Sequence, residues 1–231
     1  MQLANNITDN PLKGLGYTTN NILPDGGLGA VLARAGVGKT SLMVQMALNS
    51  MLRNQAVLHI SLDNPIKKII VWYDELFQLI AKEYQIPQEP QVWETILPSR
   101  FILTLKVDGF SVPRLEERIR DLIEQNIFSP RMIIIDGLPF DSSAGNILAD
   151  LKPFIQSLNA HAWLTVKTHR HEDPGPDGFP VQLTDVQSFF DTVIQLQPEG
   201  DEIFINNLKG GSEQAGTGKL KIEPSTMLIQ K

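Results

Sequence analysis

The sequence predicts an α/β fold in which a mostly parallel, doubly wound sheet carries a C-terminal antiparallel extension. Short, nearly uninterrupted apolar runs recur along the chain, as expected of parallel strands covered on both faces. Segments with helical spacing lie between them, which calls for right-handed strand-helix-strand crossovers. After residue 190 the intervals between apolar runs become too short for a crossover helix, so the last strands are expected to pair antiparallel at one edge. A chain of 231 residues, 42% of them hydrophobic, can bury a sizeable core. The expectation is therefore one domain over 1–231, with 1–20 as an N-terminal segment ahead of the first strand.

The elements follow in order. LGAVLA (28–33), AVLHISL (56–62), FILTL (101–105), MIIID (132–136) and AWLTV (162–166) are the strands expected in the parallel sheet. In PIKKIIVWYDELFQLIAKEY the residues Ile66, Ile70, Tyr73, Phe77, Ile80 and Tyr84 recur at helical spacing and share one face. An aromatic stripe of this kind reads as core, although Trp72, Tyr73 and Phe77 could instead offer a surface to an unidentified protein partner. Leu115, Ile119, Leu122 and Ile123 mark another helix, with Ser111 as its cap and Glu116 placed to pair with Arg120. A further helix is expected over 146–158. TVIQLQ, EIFINNL and KLKIEPSTM, separated by PEGD and KGGSEQAGTG, supply the late strands.

Composition excludes several function classes. A net charge of -6 gives no global positive field to attract nucleic acid or an acidic membrane surface. Without cysteine there is no disulfide framework, no thiolate zinc site and no cysteine nucleophile. The start MQLANNITDN has neither a basic nor an apolar leader region, and no stretch approaches the ~20 apolar residues of a membrane span, so a cytoplasmic protein is expected.

The stretch ARAGVGKTS (33–41) carries the most chemistry. It matches the end of the phosphate-loop pattern G-x-x-x-x-G-K-[ST], with Gly38, Lys39 and Thr40 in place and Ala33 where the first glycine belongs. Ala33 closes a predicted strand, where extended backbone is open to alanine. Backbone N–H groups over Ala35, Gly36, Val37, Gly38, Lys39, Thr40 and Ser41, at the start of the helix SLMVQMALNSML, would face a β-phosphate. Lys39 would reach the β- and γ-phosphates, and Thr40 would give its hydroxyl to Mg²⁺. The alternative is a strand-to-helix turn that binds nothing. AGTGKL (215–220) lacks Ser or Thr after its lysine and reads as a hairpin loop.

Phosphoryl transfer also needs a carboxylate near the metal, and RMIIIDG delivers Asp136 at a strand end. Asp63, closing AVLHISLD, is the candidate to orient or deprotonate a water; its competing role is to cap the helix that starts near Pro65.

These residues resemble the RecA-like P-loop ATPases, in the branch that contains KaiC, RadA and the DnaB-type helicases. PDGGLGAVLARAGVGKTSL resembles that group's first strand and phosphate loop, VLHISLD its second strand with a terminal acid, and MIIIDG its magnesium strand. FFDTVIQLQ and IFINNLKGG resemble its late strands; the likeness spans about 20–230, and only the phosphate loop is specific. The resemblance implies a RecA-like fold, binding of ATP or ADP with Mg²⁺, hydrolysis, and homo-oligomers with the nucleotide between subunits; slow turnover in a regulatory or assembly role is the leading expectation. It also implies a γ-phosphate sensor at VKTH, with Thr168 or His169 in that role, and a trans-acting part for Lys209.

Three departures accompany it. The family's activating acid is usually glutamate, and Asp63 is shorter; the family's Lys-x-Arg pair is here Lys209 followed by Gly211; and HRHEDPGPDGFP carries Glu172, Asp173 and Asp177, which would repel a nucleic-acid backbone. Its two histidines could suggest a metal, but in a Pro/Gly loop they read as solvated. A nucleotide-responsive binding module without useful hydrolysis is the alternative function. The GTPase run Asn-Lys-x-Asp does not occur, which points to adenine and leaves ATP over GTP open.

Overall fold

The structure, a computed structural model, describes residues 9–17, 19–169, 175, 178–211 and 219–230. An eight-stranded sheet runs in the order β3-β2-β4-β5-β1-β6-β7-β8. Its strands are β1 Leu28–Ala33, β2 Val57–Ser61, β3 Arg100–Thr104, β4 Met132–Asp136, β5 His161–Lys167, β6 Thr192–Glu199, β7 Glu202–Lys209 and β8 Leu220–Ile222. The helices are α1 Lys39–Leu52, α2 Ile66–Glu83, α3 Glu89–Ile96, α4 Val112–Glu124 and α5 Ala144–Ser157. Strands β1 to β6 pair in parallel, whereas β7 and β8 are antiparallel. The extension thus begins one strand later than expected, because β6 lies beside β1 in parallel before the PEGD turn reverses the chain.

Strand alternation divides the core into two layers. Val31, Ala33, Val57, Met132, Ile134 and Trp163 join a cluster with α1, α2 and α3. Leu28, Ala30, Leu58, Ile60, Ile133, Ile135, Leu164 and Val166 pack with α4 and α5 on the other face. Both faces of the sheet are therefore covered, and the parallel strands read as continuous apolar runs for that reason.

Local departures have physical causes. The buried face of α2 is Ile69, Tyr73, Leu76, Phe77 and Ala81. Ile66 is 43% exposed, so the face is rotated from the one predicted through it, and the stripe's Tyr73 and Phe77 are core. Helix α3 was not foreseen; Phe77 stacks on its Trp93 with ring centroids 4.6 Å apart. Ser111 occupies the N-cap of α4 without a side-chain capping bond, while Arg120 and Glu116 pair as expected at 2.6 Å. KLKIEPSTM is not one strand: β8 ends at Ile222, the chain turns, and Ile229 returns to bridge Ile222 antiparallel. The expected hairpin loop lies mostly outside the described residues, as do Arg170, His171, Glu172, Asp173 and Asp177.

Because β1, β2, β4 and β5 run parallel, their carboxyl ends reach one edge together. There Ser61 is in register with Asp136, and Ala33 with Lys167.

Candidate nucleotide-phosphate site

The loop from Ala33 to Lys39 is built as the sequence requires. Ala33 is buried in a regular parallel pair, so a glycine would bring nothing to that position. Gly36 (φ +80°) and Gly38 (φ +103°) hold the left-handed conformations that turn the chain into α1. Gly38 is the N-cap of α1 and has no side chain with which to cap it, leaving the first-turn N–H groups without a side-chain acceptor. Leu42 N–H is the first to close a helical bond, to Gly38 O at 3.0 Å. Free N–H groups and the positive end of the helix dipole make an anion-binding end. A Cβ on Gly36 would meet nothing within 4 Å, whereas one on Gly38 would lie 1.9 Å from Met227 Cε. Ala35 and Gly36 are exposed, and Val37 packs toward the α1 core. Ser41 is half-buried in the first turn.

Lys39 folds back on its own loop. Its Nζ donates to Ala33 O at 2.8 Å and Arg34 O at 3.0 Å. Its pKa is pushed down chiefly by burial and also by the Lys167 charge, against the upward pull of Asp136 and Asp63.

Asp136 is 4% exposed and both its carboxylate oxygens are held. Thr40 Oγ1 donates to Oδ2 at 2.8 Å, and Thr165 Oγ1 donates to Oδ1 at 2.7 Å. The Thr165 oxygen in turn accepts the Gly137 N–H at 3.0 Å. The hydroxyl and the carboxylate that touch here are oxygen donors of the type a hard cation such as Mg²⁺ prefers. Among the described residues no cluster of three His, Cys, Asp or Glu could hold a metal by itself, so a cation here would need oxygens from a ligand or from water.

Asp63 does not cap α2. The N-cap is Pro65, no side chain caps it, and Ser61 Oγ instead accepts the Asn64 N–H. The exposed Asp63 carboxylate lies over Gly137, where a built Cβ would be 2.6 Å from its Cγ, and so stands beside the Asp136 peptide.

The other expected residues are more dispersed. Thr168 N–H donates to Ala33 O at 3.1 Å, which keeps it at the edge, and His169 is exposed. Lys209 Nζ donates within its own chain to Gln187 O at 3.0 Å. At Gly211, whose φ is +78°, a Cβ would approach Leu15 O and Asn207 Nδ2 to 3.0 Å each, so a side chain there meets both a left-handed backbone and a tight contact.

Two residues at this edge were missed. Thr165 and Lys167 lie on the face of β5 that carries Trp163, which is the α1 face, and strand alternation from Trp163 was the signal that could have found them. Comparison with protein-family models finds none that matches the chain, and comparison with curated proteins finds no match.

Proposed function

We propose that the chain is a RecA-like P-loop ATPase that binds Mg-ATP and hydrolyses it slowly in a regulatory or assembly role. The observation that carries this reading is the 2.8 Å bond from Thr40 in the first turn of α1 to Asp136 at the end of β4. It joins the end of the phosphate-loop pattern to the strand-end acid that the chemistry requires. In this reading Lys39 leaves the carbonyls of Ala33 and Arg34 for the β- and γ-phosphates. The loop amides from Ala35 to Ser41 cradle the β-phosphate, Thr40 and Asp136 hold Mg²⁺, and Asp63 orients the attacking water. The cation, when bound, neutralises charge on the phosphate oxygens. The chemistry asked of the protein is positioning and charge stabilisation.

Slow turnover follows from two features. Asp63 is one methylene shorter than glutamate, and position 211 is glycine, which supplies no arginine to a neighbouring subunit's site. Oligomers with nucleotide between subunits and a cytoplasmic location belong to the same proposal. No helix among the described residues is long and apolar enough to cross a membrane.

A nucleotide-responsive binding module is the second reading, and Met227 favours it. Its methyl lies against Gly38, so a ligand on that side of the glycine would have to displace the Met227 side chain and would through it bias the C-terminal turn.

Steady-state phosphate release from Mg-ATP separates the readings. The ATPase predicts release that disappears in Lys39→Ala and Asp136→Asn. Nucleotide binding without release by the wild type would select the second reading, and release that survives in Lys39→Ala would overturn the assignment of the site.

A further inference from the structure

We infer that Lys167 is a catalytic residue of this site: its ammonium binds the γ-phosphate in cis and stabilises the charge that develops there during transfer. This rests on the proposed ATPase reading and adds to it the cation that the chain lacks at position 211.

The placement comes from the sheet. β5 lies between β1, which carries the phosphate loop, and β4, which carries Asp136. Lys167 is the last residue of β5 and is paired in register with Ala33, across a strand spacing of about 4.8 Å. Two residues before it, Thr165 bonds Asp136, so alternation puts Lys167 on the same face, one step nearer the open edge. The carbonyl of Ala33 accepts both Lys39 Nζ and the amide of Thr168, the residue after Lys167. The two lysines thus start from adjoining positions. Lys167 is exposed, and among the described residues no hydrogen bond or ion pair holds its ammonium. Like charges brought together without an anion between them cost free energy, and a polyphosphate placed between them removes that cost.

Thr168, the expected sensor, is the weaker candidate. Its amide is committed to Ala33 O, and the alternation that brings Lys167 to the α1 face assigns the next residue to the other one.

The step balances without a further reactant. The water oxygen bonds the γ-phosphorus as the bond from that phosphorus to the β–γ bridging oxygen breaks. The bridging oxygen leaves on ADP, one water proton stays on the inorganic phosphate and the other is released to solvent. Negative charge is spread over the γ-phosphoryl oxygens and grows on the bridging oxygen, and fixed cations at those atoms lower the barrier.

The test compares wild type, Lys167→Ala and Lys167→Arg by equilibrium binding of Mg-ATP and Mg-ADP and by steady-state phosphate release. Lys167→Ala is expected to lower kcat by about 10²–10³-fold. It should also reduce the preference for ATP over ADP by about tenfold, with ADP affinity within about twofold of wild type. Lys167→Arg should restore most of the ATP preference, a rescue that a merely structural role would not give. Because the affinity ratio needs no turnover, a wild type that binds without hydrolysing still decides the matter. If the wild type shows the expected activity and Lys167→Ala keeps both its kcat and its ATP preference, the inference falls and the ATPase reading stands. If the wild type binds neither nucleotide, both fall.

Discussion

Replacing Thr165 by valine removes one oxygen atom at the centre of the site and little else. In the folded chain that oxygen donates to Asp136 Oδ1 at 2.7 Å and accepts the Gly137 N–H at 3.0 Å, in a residue that is 3% exposed. A buried hydrogen bond to a charged group contributes about 2 kcal/mol, and a stranded buried N–H costs about 1 kcal/mol more, so Thr165→Val should lose about 3 kcal/mol. With a urea m-value of about 2.5 kcal/mol/M for a chain of this size, the unfolding midpoint should fall by about 1 M at unchanged slope. Thr165→Ser keeps both bonds and loses one buried methyl, about 1 kcal/mol. Chemical denaturation followed by circular dichroism reads both variants. In a double-mutant cycle with Asp136→Asn, the two losses should be smaller together than their sum. A Thr165→Val protein as stable as Thr165→Ser would refute the claim that this hydroxyl holds Asp136 in place.

Three further outcomes follow from other parts of the structure. His59, against Tyr73 and near Asp136 and Arg100, and His161, near Asp25, Arg53 and Arg131, are both pushed down to about 4, chiefly by burial. Each is therefore neutral in the fold and protonated in the unfolded chain between pH 4 and the ordinary value of 6.5. Stability should fall as pH drops through that window, by up to about 1.4 kcal/mol per pH unit for each histidine, and urea midpoints should show a shallower fall in His59→Gln. Gln45 binds both Met227 O and the Ile229 N–H, pinning the C-terminal turn to α1. In this cysteine-free chain Met227→Cys supplies a single thiol, expected to react slowly with a maleimide and about tenfold faster once Gln45→Ala is added; equal rates would mean the turn is not held there. Asp63→Asn should slow phosphate release by about 10²-fold with Mg-ATP affinity within about threefold, and an unchanged rate would remove Asp63 from the chemistry.

The sheet was legible because its parallel strands are covered on both faces. MIIID and AWLTV show as nearly continuous apolar runs, and β4 and β5 form within a residue or two of them. The turn over residues 33–41 was legible because its end fixes backbone and side chain together: Gly38 supplies the left-handed angle, and Thr40 meets Asp136 across 96 residues of sequence. What escaped depends on tertiary contacts. The face of α2 turns away from Ile66, because Trp93 on the unforeseen α3 supplies the surface on which Phe77 packs. Asp63 carried two roles in the sequence, and only folding brought its carboxylate over Gly137 and away from the start of α2. Met227 could not be tied to Gly38 from sequence, since the contact requires β6, β7 and β8 to lead the chain across the sheet and back to α1. Thr165 and Lys167 are different: their parity along β5 was readable, and only the identity of the face was missing.

The central claim is that residues 33–41 hold the phosphates of a nucleotide, and equilibrium titration of Mg-ATP into the wild type and Lys39→Ala tests it most directly. The account predicts saturable binding at one site per chain, weakened at least about a hundredfold in Lys39→Ala while the urea midpoint of the variant stays near that of the wild type. Equal binding by both proteins, or none by a folded wild type, would contradict it.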